Sequence, residues 1–155
     1  MISFHLTTPI GNLLIILDNT FKLTRIALAE RKKESYSKTP LEHPIIKIFS
    51  DYFQGKVIEI SYPFSVQKLS CFEMKVLEIV RHIPYGNTET YGSIARKLNS
   101  SPRAVGQALK RNPLPIIIPC HRVVRTDGSI GGYSLGLEAK KWLIEHEKAI
   151  LYKLR

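Results

Sequence analysis

The first 28 residues of the chain alternate between short apolar segments and turn-forming residues. Segments 2–7, 13–17 and 23–28 are rich in Ile and Leu, and residues 8–12 and 18–20 between them carry Pro, Gly, Asn and Asp. Short apolar runs bounded by such residues are typical of β-strands joined by tight connections. The pattern therefore predicts a small three-stranded antiparallel sheet.

A second pattern, with helical spacing, follows the polar segment 30–40, which we interpret as a loop. Beyond Pro44, large apolar residues recur every three or four positions up to Gly55, a residue type that commonly ends helices. These apolar residues are Ile45, Ile48, Phe49, Tyr52 and Phe53. Residues 56–68 predict an extended connector. We expect residues 1–68 to form an N-terminal α+β domain with a structural role.

Residues 69–155 are dominated by helical spacing and form the predicted C-terminal domain. Ser70 and Glu73 have the spacing of a capping box, which predicts a helix that starts at this point and ends at Pro84. We expect Cys71, at the start of that helix, to be a packed or inert thiol. A last helix is predicted to present on one face Ala139, Trp142, Leu143 and His146.

Two shorter helices are predicted between these two, with a tight turn separating them. The first opens near Tyr91, and the second has Ser101 as its N-cap and Pro102 at its first position. The second must end at Asn112-Pro113, because a proline disfavours helical backbone in the residue before it. Such a pair is a helix-turn-helix candidate. The predicted fold class is α+β: a small three-stranded antiparallel sheet with a helix, then a mainly helical, winged-helix or helix-turn-helix-like domain.

Basic residues are concentrated in the predicted helix-turn-helix. The chain of 155 residues has a formal net charge of +10 at pH 7. Segment 91–125 contains seven Lys and Arg residues and no Asp or Glu. A solvated surface explains an ordinary run of charge, but a stretch this long without a carboxylate favours a polyanion such as nucleic acid as partner.

The cysteine content and the hydropathy of the chain indicate in which cellular compartment the protein works. Cys71 and Cys120 do not predict a disulfide framework or a zinc site, because neither lies in a Cys-x-x-Cys or related ligand pattern. The sequence opens without the pattern of a signal peptide, and no apolar run approaches the roughly 18 residues of a membrane span. We expect a monomeric protein in the reduced cytoplasm, with no membrane partner and no metal.

Cys120 is the strongest candidate for chemistry, because it follows the apolar run 116–118 and directly precedes His121. A free cysteine has a pKa near ~8.5, so a reactive thiol needs a base. His121 could take its proton directly or through a water molecule. A carboxylate would orient the histidine, and Glu145 and Glu147 are both candidates. The alternative is a core cysteine that follows a buried strand.

The surroundings of Cys120 closely resemble the active-site signature of the O6-alkylguanine-DNA alkyltransferases. The matching elements, in the family's order and nearly its spacing, are Arg103–Gly106, Asn112-Pro113, Pro119–Val124, Gly131–Ser134, Lys140, Trp142-Leu143 and His146-Glu147. A loop difference at residues 99–101 is the main departure, and the first half of the chain resembles the family only in layout. The cysteine and histidine zinc ligands of some relatives are missing, which also predicts no metal.

The resemblance implies a single-turnover DNA repair activity, that of a methylated-DNA–protein-cysteine S-methyltransferase. The alkyl group of O6-alkylguanine in double-stranded DNA, with O4-alkylthymine as a candidate second substrate, would pass irreversibly to Cys120 without a cofactor. The lesion lies within the base stack, so the base must leave the helix to meet the thiol. The general base that takes the proton of the thiol would be His121. Its acidic partner would be Glu147, which is preferred to Glu145 on the match alone.

The resemblance also implies roles for residues around the thiol. Arg103 would fill the space that the flipped base leaves, and Tyr91 would contact the rotated phosphate and hydrogen-bond the base. Lys140 would polarise the thiol or the substrate, and Asn112 would tie the second helix to the active-site turn. Further DNA contacts would come from Ala104, Gly106 and Arg122, and the walls of the alkylguanine pocket from Pro115, Val123, Tyr133 and Ser134. For each of these residues the alternative is a purely structural role, in which it caps a helix, packs in the interior or lies solvated at the surface.

Three other functions fit parts of the pattern. A noncatalytic binder of alkylated DNA with a similar fold would lack the cysteine that is present here. A helix-turn-helix regulator would carry base-reading side chains on its second helix, but that helix is poor in such groups except for Arg103 and Gln107. A cysteine hydrolase would turn over repeatedly and need an oxyanion site, which no motif marks.

Overall fold

The computed structural model describes residues 1–29, 43–56 and 59–154. The chain begins with three strands: β1 (Ile2–Thr8), β2 (Gly11–Leu17) and β3 (Leu23–Leu28). They pair antiparallel in that order, with Ile15 of β2 opposite Phe4 on one side and Ile26 on the other. The predicted sheet is confirmed, whereas the loop predicted at 30–40 lies outside the described residues.

One face of the sheet is covered by α1 (Pro44–Phe53), which contacts β1. Leu13, Ile15 and Leu17 all lie on the buried face, because the side chains of a strand alternate between its two sides. The stretch around Phe64 extends along β3, where it forms a parallel bridge with Leu23. The part of the predicted connector that the structure describes therefore forms an edge to the sheet.

Four helices follow: α2 (Cys71–Arg81), α3 (Tyr91–Lys97), α4 (Pro102–Lys110) and α5 (Leu137–Lys153). The predicted capping box is present at α2, where the Ser70 hydroxyl accepts from the Glu73 amide at 3.1 Å and the Glu73 carboxylate accepts from the Ser70 amide at 3.2 Å. Cys71 beside it is exposed, so the expectation that it packs is wrong. The first turn of a helix that begins at the surface leaves its first side chain in solvent.

The helix-turn-helix prediction is confirmed by α3 and α4, which pack against each other across a four-residue turn. The hydroxyl of Ser101 accepts from the Ala104 amide at 3.1 Å and so caps α4 as expected. Two short strands that the sequence did not predict, β4 (Glu89–Thr90) and β5 (Val123–Val124), pair in parallel beside these helices. Their pairing holds the segment that follows Cys120 against the start of α3.

The hydrophobic core is continuous from the sheet to the helices of the second half. A backbone hydrogen bond from Ile26 of β3 to the Pro113 carbonyl, 2.9 Å long, also joins the two halves. The division at residue 68 into two domains stays a prediction. Within the described ranges, no helix has both the length and the apolar character needed to cross a bilayer.

Candidate active site

Cys120 begins a single 3₁₀ turn, Cys120–Arg122, that follows the apolar run. The run itself is a tight turn and not the buried strand of the alternative interpretation, because Ile116 adopts a left-handed backbone with φ of +79°. A β-branched residue rarely takes this conformation, so the surrounding core must hold it. Ile116 is 3% exposed and Cys120 is 4% exposed, which places the thiol on a rigid, buried support.

Asn112 fixes this turn to the end of α4. Its side-chain amide donates to the Ile118 carbonyl at 3.0 Å and to the Sγ of Cys120 at 3.2 Å, and its carbonyl oxygen accepts from the Leu114 amide at 3.0 Å. These side-chain hydrogen bonds lie inside the turn that carries the thiol, while the Asn112 backbone amide donates to the Leu109 carbonyl of α4 at 3.1 Å. The expected link between the second helix and the active-site turn has this geometry.

The thiol itself is protonated at rest. Burial raises the pKa of Cys120 to about 11, although the hydrogen bond from Asn112 and the charge of Lys140 act in the opposite direction. A buried thiol of this kind is not a general nucleophile toward solutes. It needs a base close by and a substrate that fits above it.

His121 and Glu147 form a buried base–carboxylate pair. The Nε2 of His121 lies 2.7 Å from Oε2 of Glu147, and both residues are at most 1% exposed. Burial lowers the pKa of His121, so the ring is neutral at pH 7, while its contact with Glu147 works to raise that pKa. Nε2 therefore carries the hydrogen that it donates to the carboxylate, and Nδ1 is left as the basic atom. Nδ1 is buried and has no partner among the described residues.

Among the residues that the structure describes, four donate hydrogen bonds to the Glu147 carboxylate. Besides His121, these are Arg122, whose Nε and Nη2 lie 2.8 and 3.0 Å away, the Tyr52 hydroxyl at 2.5 Å, and the Gly86 amide at 3.2 Å. Burial alone would raise the pKa of Glu147, but the hydrogen bonds from His121 and Arg122 and the positive charge of Arg122 outweigh it and hold the carboxyl ionised. The structure thus selects Glu147, since Glu145 is exposed on α5.

Lys140 supplies a buried positive charge near the thiol. Its ammonium donates to the Gly132 carbonyl at 3.0 Å and to the Tyr91 hydroxyl at 3.3 Å. Burial lowers the pKa of Lys140 to about 8, and the neighbouring Cys120 acts to raise it. Gly131 allows this close packing, because a Cβ at that position would lie 2.8 Å from the Tyr91 hydroxyl oxygen.

A cavity of about 700 Å³ opens between α4 and the Cys120 turn. Its lining contains Tyr91, Pro102, Arg103, Gly106, Gln107, Leu109, Lys110, Cys120, Arg125, Thr126, Gly132, Tyr133 and Ser134. Arg103, Lys110 and Arg125 and the exposed face of α4 lie at this cavity, so a polyanion bound along the helix would lie beside the cavity that the thiol lines. A cavity of this size readily accepts a single purine base.

The match to known proteins covers the same region. Residues 71–149, about half of the chain, match the family described as 6-O-methylguanine DNA methyltransferase, DNA binding domain. A methylated-DNA–protein-cysteine methyltransferase of Archaeoglobus fulgidus is 51% identical over 102 residues, which are 62% of this chain and 68% of that protein. The chain belongs to the 6-O-methylguanine DNA methyltransferase family.

Another relative in this methyltransferase family, the methylated-DNA–protein-cysteine methyltransferase of Methanocaldococcus jannaschii, is 57% identical over 106 residues. That segment is 67% of this chain but 61% of the relative, so the chain spans less than two thirds of that protein's length. The solved structure of Mycobacterium tuberculosis OGT in complex with DNA has a TM-score of 0.85 at 30% identity, covering 97% of this chain and 94% of that one. The solved structure of an O6-methylguanine DNA methyltransferase from Methanococcus jannaschii has a TM-score of 0.68 at 38% identity. The match covers 94% of this chain and 93% of that one.

Most residues predicted from the methyltransferase resemblance lie together. Cys120, Tyr91, Arg103, Gly106, Tyr133 and Ser134 line the cavity, while Asn112, His121, Lys140 and Glu147 lie directly behind it. Ala104 is half-buried on α4, beside Arg103 but outside the lining. Their roles in DNA binding and transfer stay predictions, because geometry gives position and not activity.

Three predicted positions need correction. Arg122 was expected to bind DNA, but it is 9% exposed and its guanidinium bonds Glu147 and, at 2.6 Å, the Ile83 carbonyl. We therefore assign it to the support of Glu147. Val123 and Pro115 were expected to wall the pocket, yet both are buried and absent from its lining. Val123 pairs with Glu89 in the small parallel sheet and is fully buried in the hydrophobic core.

Sequence reasoning missed two groups of site residues. Tyr52 and Gly86 reach Glu147 from distant parts of the chain, and no local motif marks them. Lys110, Arg125 and Thr126 line the cavity. The two basic residues had a visible signal, since both belong to the segment without carboxylates.

Proposed function

We propose that the protein repairs alkylated DNA by transferring the alkyl group of O6-alkylguanine to the Sγ of Cys120. The observation that carries this proposal is a buried thiol at a cavity beside a basic helix-turn-helix, backed by a neutral histidine and an ionised carboxylate. Family membership and the names of the relatives support it. O4-alkylthymine is proposed as a second substrate of the same chemistry.

The first step is extrusion of the damaged base from the duplex. Cys120 is 4% exposed and lines the cavity, so a base that stays stacked in the duplex cannot reach the thiol. Arg103, exposed near the start of α4, would occupy the space left in the stack. Its planar guanidinium can stack and hydrogen-bond at the same time, which suits this role.

The second step is displacement at the alkyl carbon. Cys120 loses its proton to Nδ1 of His121 through a water molecule, and Glu147 stabilises the imidazolium that forms. The Sγ–carbon bond forms while the carbon–O6 bond breaks, and the electron pair stays on the guanine. The leaving guanine takes up a proton from the Tyr91 hydroxyl, which the Lys140 ammonium polarises, and leaves as neutral guanine. Tyr91 recovers a proton from water and His121 releases the proton of the thiol to water, so the charges balance.

The product is a thioether, which is a poor leaving group. We infer that each molecule reacts once, without a cofactor or a metal, and that the protein acts as a monomer on DNA in the cytoplasm. This stoichiometry separates the proposal from its rivals. A regulator or a noncatalytic binder would stay unmodified, and a hydrolase would regenerate its cysteine.

The test is intact-protein and peptide mass spectrometry after incubation with a duplex that contains one O6-methylguanine. We expect one added methyl group per protein, on the peptide that bears Cys120. Cys71 is the internal control, because it is exposed and would be the first thiol to react with a free alkylating agent. Methylation of Cys71 with Cys120 unmodified, or continued turnover with excess lesion, would refute the proposal.

Arg103→Ala should slow repair of duplex DNA by about 10- to 100-fold and leave the reaction with free O6-benzylguanine nearly unchanged. Unstacking a base costs a few kcal/mol, and each 1.36 kcal/mol corresponds to a tenfold change in rate. Single-turnover rates with both substrates measure the difference. Arg81→Ala is the matched control, because it removes an exposed arginine that pairs with Glu78 on α2, outside the cavity. Equal losses with both substrates would exclude a role for Arg103 in extrusion.

A further inference from the structure

The carboxylate of Glu147 lies where elements from both halves of the chain meet. Tyr52 comes from α1 in the first half, while His121 and Arg122 come from the 3₁₀ turn in the second. The Tyr52 hydroxyl donates to Oε2 of Glu147, the same oxygen that accepts from Nε2 of His121 at 2.7 Å. Tyr52 and His121 are 95 and 26 residues away from Glu147 in sequence, so only the tertiary fold brings the three together.

Tyr52 is itself held firmly. It is 1% exposed, and its backbone carbonyl accepts from Nε2 of His146 on α5 at 3.0 Å. The ring of His146 stacks on Trp142 with centroids 4.5 Å apart. Burial, and then the charge of Glu147, raise the pKa of Tyr52 well above its usual value, so the hydroxyl remains a donor at every working pH.

A donor on the shared oxygen affects the histidine. The more hydrogen bonds this oxygen accepts from other groups, the less of its negative charge is available to the imidazolium form of His121. The same bond also limits rotation of the carboxylate, which must face Nε2 if Nδ1 is to remain the basic atom. Tyr52 therefore acts on the site through Glu147, without touching the thiol.

We propose that Tyr52 is a positioning residue of the alkyl-transfer site, which orients Glu147 and moderates the basicity of His121 from the first half of the chain. The inference rests on the proposed function. It assigns to α1 a part in the chemistry that the N-terminal half was not expected to have.

Other charged and titratable groups face the same pair, and they set the sign of the expected change. Arg122 and Lys140 both act to lower the pKa of His121, and Glu147 acts to raise it. Burial chiefly raises the pKa of Tyr85 and of Tyr133, and the charge of Glu147 adds to it, but neither hydroxyl has a hydrogen-bond partner among the described residues. Removing the Tyr52 donor leaves more charge on Glu147, so the imidazolium is stabilised and His121 is protonated at higher pH.

Tyr52→Phe should therefore move the acid limb of the transfer rate upward by about half to one pH unit. Only neutral His121 accepts the thiol proton, so this limb reports its protonation. Rates are measured with free O6-benzylguanine, so that DNA binding does not contribute. Tyr85→Phe is the matched control, because the buried Tyr85 hydroxyl has no hydrogen-bond partner among the described residues and its removal should not move the limb.

Titration of the His121 ring by ¹H–¹⁵N NMR provides a readout that needs no alkyl transfer. We expect the same upward shift in Tyr52→Phe, with thermal melting used to verify that the variant is folded. An unchanged His121 titration and acid limb in a folded variant would overturn the proposal, as would an equal shift in Tyr85→Phe. Failure of the wild-type protein to become alkylated would instead refute the proposed function and leave the NMR result interpretable.

Discussion

If the proposed transfer occurs, we expect Cys120→Ser to abolish it and to leave the protein folded and able to bind DNA. The loss is on the order of a thousandfold or more, because a serine hydroxyl is a far weaker nucleophile than a thiolate toward an alkyl carbon. The change is nearly isosteric, and Asn112 can still donate to the hydroxyl oxygen that replaces Sγ. Transfer is measured by mass spectrometry with a methylated duplex, and DNA binding by fluorescence anisotropy.

Cys71→Ser is the control for this result. Cys71 is exposed at the start of α2, so its replacement should leave transfer at the wild-type level. Together the two variants show whether transfer needs any thiol of the protein or the thiol of Cys120 in particular. Transfer retained in Cys120→Ser, or lost in Cys71→Ser, would place the reactive group elsewhere.

We expect the second large effect from Glu147→Gln, which should lower both the stability of the protein and the rate of the proposed transfer. The carboxylate is 1% exposed and compensates Arg122, so its loss leaves a buried cation without its partner. Breaking a buried pair in this way costs about 3–5 kcal/mol of the free energy of unfolding, which corresponds to a fall in Tm of about 6–20 °C. Transfer falls as well, because the amide no longer stabilises the imidazolium of His121.

The pH dependence of stability distinguishes loss of the Glu147 charge from loss of packing alone. The pKa of Glu147 in the folded protein is well below its usual value of 4.5, so its stabilising contribution is complete above about pH 4.5. It is lost as the pH falls through the folded-state pKa. The difference in stability between wild type and Glu147→Gln should therefore be full at pH 7 and shrink below pH 4.5, as measured by chemical denaturation.

Glu145→Gln is the matched control on the same helix. Glu145 is exposed, and a surface substitution of this kind changes stability by no more than about 0.5 kcal/mol. The comparison also tests which carboxylate supports the histidine, a choice that the sequence left to family resemblance. A larger effect at Glu145 than at Glu147 would contradict the assignment.

The elements of the fold were predictable because their signals are local. The three strands are marked by apolar runs between turn residues, and α2 and α4 begin at hydroxyl N-caps that the sequence displays. Each of these signals spans only a few positions and depends on the backbone close to it. The short β4–β5 pairing escaped prediction, since two residues in each strand leave no periodicity to detect.

The residues of the candidate site could be predicted from the sequence where they lie in one continuous motif or match the family resemblance. Cys120 and Tyr133 line the cavity and His121 lies directly behind it, whereas Arg122, within the same motif, was assigned to DNA and lies inside the protein. Whether a basic side chain points to solvent or to a buried carboxylate depends on where α5 packs, and the local sequence does not specify that. Tyr52 was missed for the same reason, because its partner Glu147 lies 95 residues away in the last helix.

The sequence by itself determined the elements, the basic helix-turn-helix and the identity of a cysteine with an adjacent histidine, because these are properties of neighbouring residues. The tertiary structure decided that Glu147 and not Glu145 is the partner of His121, that Arg122 is a support, and that Tyr52 reaches the site from the first half of the chain. These contacts join residues far apart in the chain. Such residues meet only when burial of the apolar surfaces of α1 and α5 has placed both helices, and the cost of burying a charge then selects the groups that can satisfy it.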